Sequence, residues 1–218
     1  MGAGRESGES SEKRVPFNLY LLGKIYQAKG ELDQAYIHYR ESLRIAKEVG
    51  ARELAARNYL LMGRMDYELG MHDRAREQIK WALALTRELG LKRLAAECRR
   101  ALGDICYYGE SDYEKAWQFY EESTEIHEEL NNKRGVAQLK QVMASLAESE
   151  GEFDTAYRLI KEACSLLEGL EFKPLQEEYQ KDLRRIEEKY LGKEDTVLLG
   201  SSPAWAQRQQ RGNAPSLE

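Results

Sequence analysis

Four alanines recur at nearly equal intervals along this chain of 218 residues: Ala35, Ala75, Ala116 and Ala156, at spacings of 40, 41 and 40. Each closes a similar phrase, GKIYQAKGELDQA, GRMDYELGMHDRA, GDICYYGESDYEKA and ASLAESEGEFDTA in turn. A period of this length implies one supersecondary unit copied and stacked, each copy burying its apolar face against the next. The one extra residue falls between Gly103 and Ala116. The turn YYGESDY is where such an insertion should cost least.

Within each unit, apolar or small residues at helical spacing define a first helix. They are Leu19, Leu22, Gly23 and Tyr26, then Tyr59, Met62, Gly63 and Met65/Asp66. The third unit has Arg99, Leu102, Gly103 and Cys106, and the fourth Lys140, Met143, Ala144 and Ala147. Arg99, Lys140 and Asp66 interrupt the pattern. A turn with Gly30, Gly70, Gly109 or Gly151 is expected to end that helix. An acid (Asp33, Asp73, Glu114 or Asp154) then opens a second helix, where it suits the helix dipole. Gly50, Gly90, Asn131/Asn132 and Gly169 are stop signals for that second helix. Glycine inside a helix costs about 1 kcal/mol against alanine. Gly23, Gly63 and Gly103, with Ala144 as their counterpart, therefore imply close approach of two helices, the repeated alanines lying on the facing one.

The succession Leu22-Gly23, Tyr26, Gly30, Ala35 and Tyr39 resembles the tetratricopeptide repeat. Met62-Gly63, Gly70, Ala75 and Ile79 repeat it, as do Leu102-Gly103, Cys106, Ala116 and Tyr120, and then Ala144, Gly151, Ala156 and Ile160. The usual repeat has 34 residues. This longer period is similar to the variety found in LGN/Pins polarity scaffolds, kinesin light chains and bacterial sensor and regulator proteins. The resemblance implies an all-α, right-handed α-solenoid of four helix pairs. The expected boundaries are 15–50, 51–90, 91–131 and 132–170. Leu175, Tyr179, Leu183, Ile186 and Tyr190 form one apolar stripe, so residues 171–191 are expected to supply a capping helix.

Residues 1–14 read as a disordered leader and 192–218 as a flexible tail, in which Val197, Leu198, Leu199 and Trp205 form a short docking segment as the sharper alternative. No cap precedes the first repeat, which suggests a start inside a larger protein or pairing with another copy. Thirty-three basic and 38 acidic residues give a formal charge of −5, against a nucleic-acid binder. No run reaches the ~18 apolar residues of a membrane span. Cys98, Cys106 and Cys164 sit among apolar neighbours, and the first two, on one helix, would stand about 12 Å apart, too far for a disulfide. Thiols in a reducing cytoplasm are the expectation.

No catalytic constellation stands out, and no cofactor or metal is expected. His38, His72 and His127 lie in different units, without metal-ligand spacing. The acidic run EESTEIHEEL reads as a solvated helix face. The resemblance instead implies that the first helices line a concave groove. There Phe17, Tyr20, Lys24 and Gln27 would be followed by Arg57, Leu60, Arg64 and Tyr67, and then by Glu97, Arg100, Asp104 and Tyr107. The partner-binding set is Phe17, Tyr20, Lys24, Arg57, Leu60, Arg64, Tyr67, Arg100 and Tyr107, with the first two units basic and free of acid. Rings supply contact area and Arg offers paired donors to carboxylates. The clamp that some members use for chaperone tails is not matched, because Tyr20, Lys24 and Leu61 stand at its positions. The expectation is a non-catalytic scaffold for an acidic, partly apolar protein segment. Self-association through the first repeat or the tail, or a sensor segment of a larger regulator, are the alternatives.

Overall fold

The computed structural model describes residues 3–191, and the expected docking segment of the tail lies outside them. The chain divides into two compact units, 1–111 and 112–218. All regular elements among the described residues are helical.

The first unit holds α1 (Ala3–Ala28), α2 (Leu32–Glu48), α3 (Arg52–Glu68), α4 (His72–Leu89) and α5 (Lys92–Asp104), followed by a π-helical segment, Ile105–Gly109. Helix α1 packs on α2, α2 on α3, α3 on α4, and α4 on α5. The helix extends through most of the stretch read as a leader, whose Glu, Arg and Lys favour helix. It takes Pro16 in its interior. The buried Ser42 Oγ donates to the Pro16 carbonyl at 2.7 Å and accepts from Asn58 Nδ2 at 2.8 Å, tying α1, α2 and α3 together.

The repeated glycines mark the tightest contacts. A Cβ added to Gly23 would lie 2.5 Å from Tyr39 Cε1, and one on Gly63 would lie 2.6 Å from Ile79 Cγ1. The glycine thus faces the large side chain four residues beyond the repeated alanine, and the Ala75 carbonyl oxygen is 3.1 Å from that same Gly63 position. Ala35, Ala75, Tyr39 and Ile79 are all fully buried. The small residues let a ring or a branched chain fill the space between the helices.

The extra residue of the third unit is not in the turn. Gly30, Gly70 and Gly151 hold positive φ five residues before their alanines, and in the third unit that place belongs to Ser111, at φ 54°. Gly109, expected as the turn glycine, is instead the last residue of the π-helical segment. The added residue is absorbed as a wider helical turn, the usual way a helix takes an insertion without losing its downstream register. A Cβ on Gly109 would meet the His72 ring at 2.8 Å, so the widened turn sits directly on the start of α4.

The second unit holds α6 (Tyr113–Glu129), α7 (Lys133–Ser149), α8 (Phe153–Leu167) and α9 (Lys173–Leu191). Asp112 caps α6 through the Lys115 amide and Asn132 caps α7 through the Gly135 amide. Asn131, at φ 52°, takes the left-handed position that Gly50 and Gly90 hold in the first unit. Helix α9 lays its apolar stripe on α8, burying Tyr179 and Ile186 to 2% and 1% exposure. Its polar flank reaches α7: Gln141 Nε2 donates to Asp182 Oδ2 at 2.9 Å, and Arg185 and Lys189 both pair with Glu148. Burial raises the Glu148 pKa, but the hydrogen bonds from Lys189 and Arg185 outweigh it and hold the carboxyl below its usual range.

Candidate functional site

The first helices of the first unit are neighbours, α1 touching α3 and α3 touching α5. Phe17 and Tyr20 stack at 6.1 Å on α1, Tyr20 approaches the Tyr39 ring at 6.1 Å, and the Lys24 ammonium lies 5.9 Å from the Tyr20 centroid. Phe17 borders a cavity of about 430 Å³ together with Arg52, Glu53, Leu54 and Arg57. Phe17 is 50% exposed, so its ring forms an open wall. An aromatic wall beside a guanidinium suits an apolar residue flanked by a carboxylate.

Arg57 is not a lone cation. Its Nη2 and Nε donate to Glu53 Oε1 at 2.7 and 3.1 Å, and that hydrogen bond raises its pKa. Glu97 on α5 adds a weaker field at the same guanidinium. The expectation of a basic, acid-free surface on the first two units is therefore corrected. Glu53 stands one helical turn before Arg57, where an i,i+4 pair forms without tertiary help. Leu60 is corrected too: at 2% exposure it is a core residue and offers nothing to a ligand. Gln27 accepts from the Tyr39 hydroxyl at 2.8 Å, which spends its carbonyl on the fold.

Farther along, Arg64, Tyr67, Arg100 and Tyr107 are half-buried. Tyr67 meets His72 at 5.6 Å, and Tyr107 packs on Tyr108 at 4.2 Å. Burial raises the pKa of both Tyr67 and Tyr108, and Asp104 pushes each in the same direction. Tyr108 also responds to Tyr67 and Arg100, so these groups share one neighbourhood. Tyr108 is 61% exposed, and the sequence offered no sign of it because the π-helical turn re-aims it. The signal available was the 41-residue spacing.

The histidines and cysteines of both units serve packing. His38 stacks on Tyr26 at 5.1 Å, and Asn132 Nδ2 lies 2.9 Å from His127 Nδ1. Burial pushes the Cys98 thiol up to about 12, against the field of nearby Arg64, and it also raises Cys164. Both shifts disfavour the thiolate, the nucleophilic form. None of the three cysteines forms a disulfide. Among the described residues no helix is long and apolar enough to cross a membrane, and no group of three or more His, Cys, Asp or Glu could hold a metal.

Residues 17–88 match the family model of the tetratricopeptide repeat. No curated protein sequence matches the chain. Among solved structures it is similar to BtubC (BKLC) from P. vanneervenii, with TM-score 0.69 and 19% identity over 99% of this chain and 96% of that one. It is similar to the apo form of RapI, with TM-score 0.71 and 17% identity over 81% of this chain and 64% of that protein. A kinesin-light-chain-type protein of Podosopora anserina with nearly identical TPR-like repeats gives TM-score 0.65 and 15% identity, over 92% and 91% of the two chains. At these identities the likeness is one of fold. With the Gly23–Tyr39 and Gly63–Ile79 contacts and the helix pairs, residues 17–88 are tetratricopeptide repeats, and the described residues have the fold of an all-α repeat solenoid.

Proposed function

We propose that the protein is a non-catalytic interaction scaffold that binds a segment of a partner protein across α1, α3 and α5 of its first unit. The observation that supports this most directly is the open Phe17–Arg57 cavity, continued by Tyr20 and Lys24 on one side. Arg64, Tyr67, Arg100 and Tyr107 extend the surface. The ligand is an extended or helical segment with apolar residues for the Phe17 wall and carboxylates for Lys24, Arg57 and Arg64. Glu53, Glu97 and Asp104 select against an unbroken acidic run. Buried Cys98 supports a reducing, cytoplasmic setting.

An array of 12-residue peptides, graded in acidic and apolar content and probed with the full chain, tests this reading. Peptides carrying both features should bind and should lose at least tenfold in affinity to the Arg57→Glu/Arg64→Glu variant. Retention of all bound spots by that variant would remove the surface from the mechanism.

A further inference from the structure

The outer face of α1 is apolar and open. Val15, Leu22 and Ile25 are 51%, 40% and 51% exposed, with Leu21 beside them at 40%. Leu22 and Ile25 each precede by one residue the pair that faces α2, Gly23 and Tyr26. They therefore stand about 100° around the helix from that contact. With Asn18 and Lys29 they follow the i, i+4, i+7, i+11 spacing of a single helix face.

The repeat itself identifies what such a face accepts. Leu22 and Ile25 align, at the 40-residue spacing, with Met62 and Met65 of α3. Those two are only 5% and 2% exposed, because they lie in one core cluster with Ala35, Tyr39, Leu43 and Ala46 of α2. The corresponding Met143 and Leu146 of α7 are buried as well, at 5% and 0%. The same register is thus covered by an amphipathic second helix in α3 and uncovered in α1.

Charge decides which helix. From Arg14 to Lys29 the chain has no Asp or Glu, while Arg14 and Lys29 are both exposed. The Lys29 ammonium lies over the Tyr26 ring, at 5.7 Å. Arg14 and Lys29 bracket the two ends of the apolar stripe. Two copies joined through this face would set these cations against one another, which disfavours a symmetric pair. We propose that α1 docks an acidic amphipathic helix of a partner protein, in the position that α2 holds against α3. This face is separate from the Phe17–Arg57 surface and does not depend on it.

The probe is a synthetic peptide of the α2 sequence, LDQAYIHYRESLRIAKE, in which the exposed Arg40, Arg44 and Lys47 are replaced by Glu. Fluorescence anisotropy against the full chain should show binding that is tighter than for the unaltered peptide. The dissociation constant should rise at least tenfold in Leu22→Ser/Ile25→Ser and about threefold in Arg14→Glu/Lys29→Glu. Both pairs are exposed, so thermal unfolding should confirm that the variants remain folded. Equal binding of the two peptides, or binding indifferent to Leu22→Ser/Ile25→Ser, would overturn the proposal. So would a dimer seen in light scattering and lost in that variant, since the face would then belong to a second copy.

Discussion

Gly63 and Ile79 set the distance between α3 and α4: a single carbon added to Gly63 would stand 2.6 Å from Ile79 Cγ1 and 3.1 Å from the Ala75 carbonyl oxygen. Gly63→Ala is therefore expected to destabilise by about 1–3 kcal/mol through overpacking. Combining it with Ile79→Ala should cost less than the sum of the two single changes, because the second removes the atom that the first collides with. Gly30→Ala is the control. Nothing lies within 4 Å of its added carbon, but its φ of 79° should cost about 1 kcal/mol, and Ile79→Ala should not relieve it. Urea unfolding of the parent protein and these five variants gives the comparison.

Asp66 is fully buried, and a guanidinium and an amide converge on it. Arg74 Nη2 and Gln78 Nε2 donate to its two oxygens at 2.8 and 2.7 Å. Burial nevertheless raises its pKa, against the opposing pull of Arg74. Arg74→Ala should cost about 2 kcal/mol at pH 7, a figure reduced from the fully buried case because the guanidinium is half-exposed. A carboxyl with a raised folded pKa binds its proton more tightly in the native state. Stability contributed by that proton is present at low pH and lost as pH rises through the folded pKa. The Arg74→Ala variant should therefore recover part of its deficit as pH falls from 7 toward the ordinary aspartate range of about 3.9. Thermal unfolding across that range would contradict this if the deficit stayed constant.

Glu148 has the opposite sign. Its pKa is held down by Lys189 and Arg185, so the stabilisation it gives α9 is present above the ordinary glutamate range of about 4.3 and fades as pH falls through the lowered value. Glu148→Gln should weaken α9 docking by about 1 kcal/mol, since both cations are half-exposed. Amide exchange in residues 173–189 should quicken in this variant at pH 7. The difference from the parent protein should shrink as the pH is lowered below 4.

The π-helical turn predicts a tolerated deletion. Removing Tyr108, which is largely exposed, restores the 40-residue spacing and allows α5 to continue as a regular helix to Ser111. Stability should change by less than about 1 kcal/mol, with the helical circular dichroism retained. Deleting Ile105, which is 1% exposed, should instead cost several-fold more through the lost burial.

Much of this fold is legible along the chain because helical repeats make local and periodic demands. A close approach needs Gly23 and Gly63, and a first turn tolerates Asp33 and Asp73. A left-handed stop favours Gly30, Gly50 and Gly70. The binding surface was less legible. Leu60 and Arg57 share the spacing of their exposed neighbours, but a few tens of degrees around α3 place one in the core. The other is left within reach of Glu53. Periodicity fixes a face only to about a side chain's width, which is too coarse to separate a groove wall from a core residue.

By itself, then, the sequence determined the helix pairs, their period and the residues at their tightest contacts, since each follows from backbone conformation and volume within a short segment. Only the tertiary structure decided where the forty-first residue went, which cations were already paired, and which apolar stripe was left open. Those outcomes depend on what packs against each side chain from elsewhere in the chain. Leu22 and Met62 show it most simply: the same place in the repeat, one covered by α2 and one facing outward.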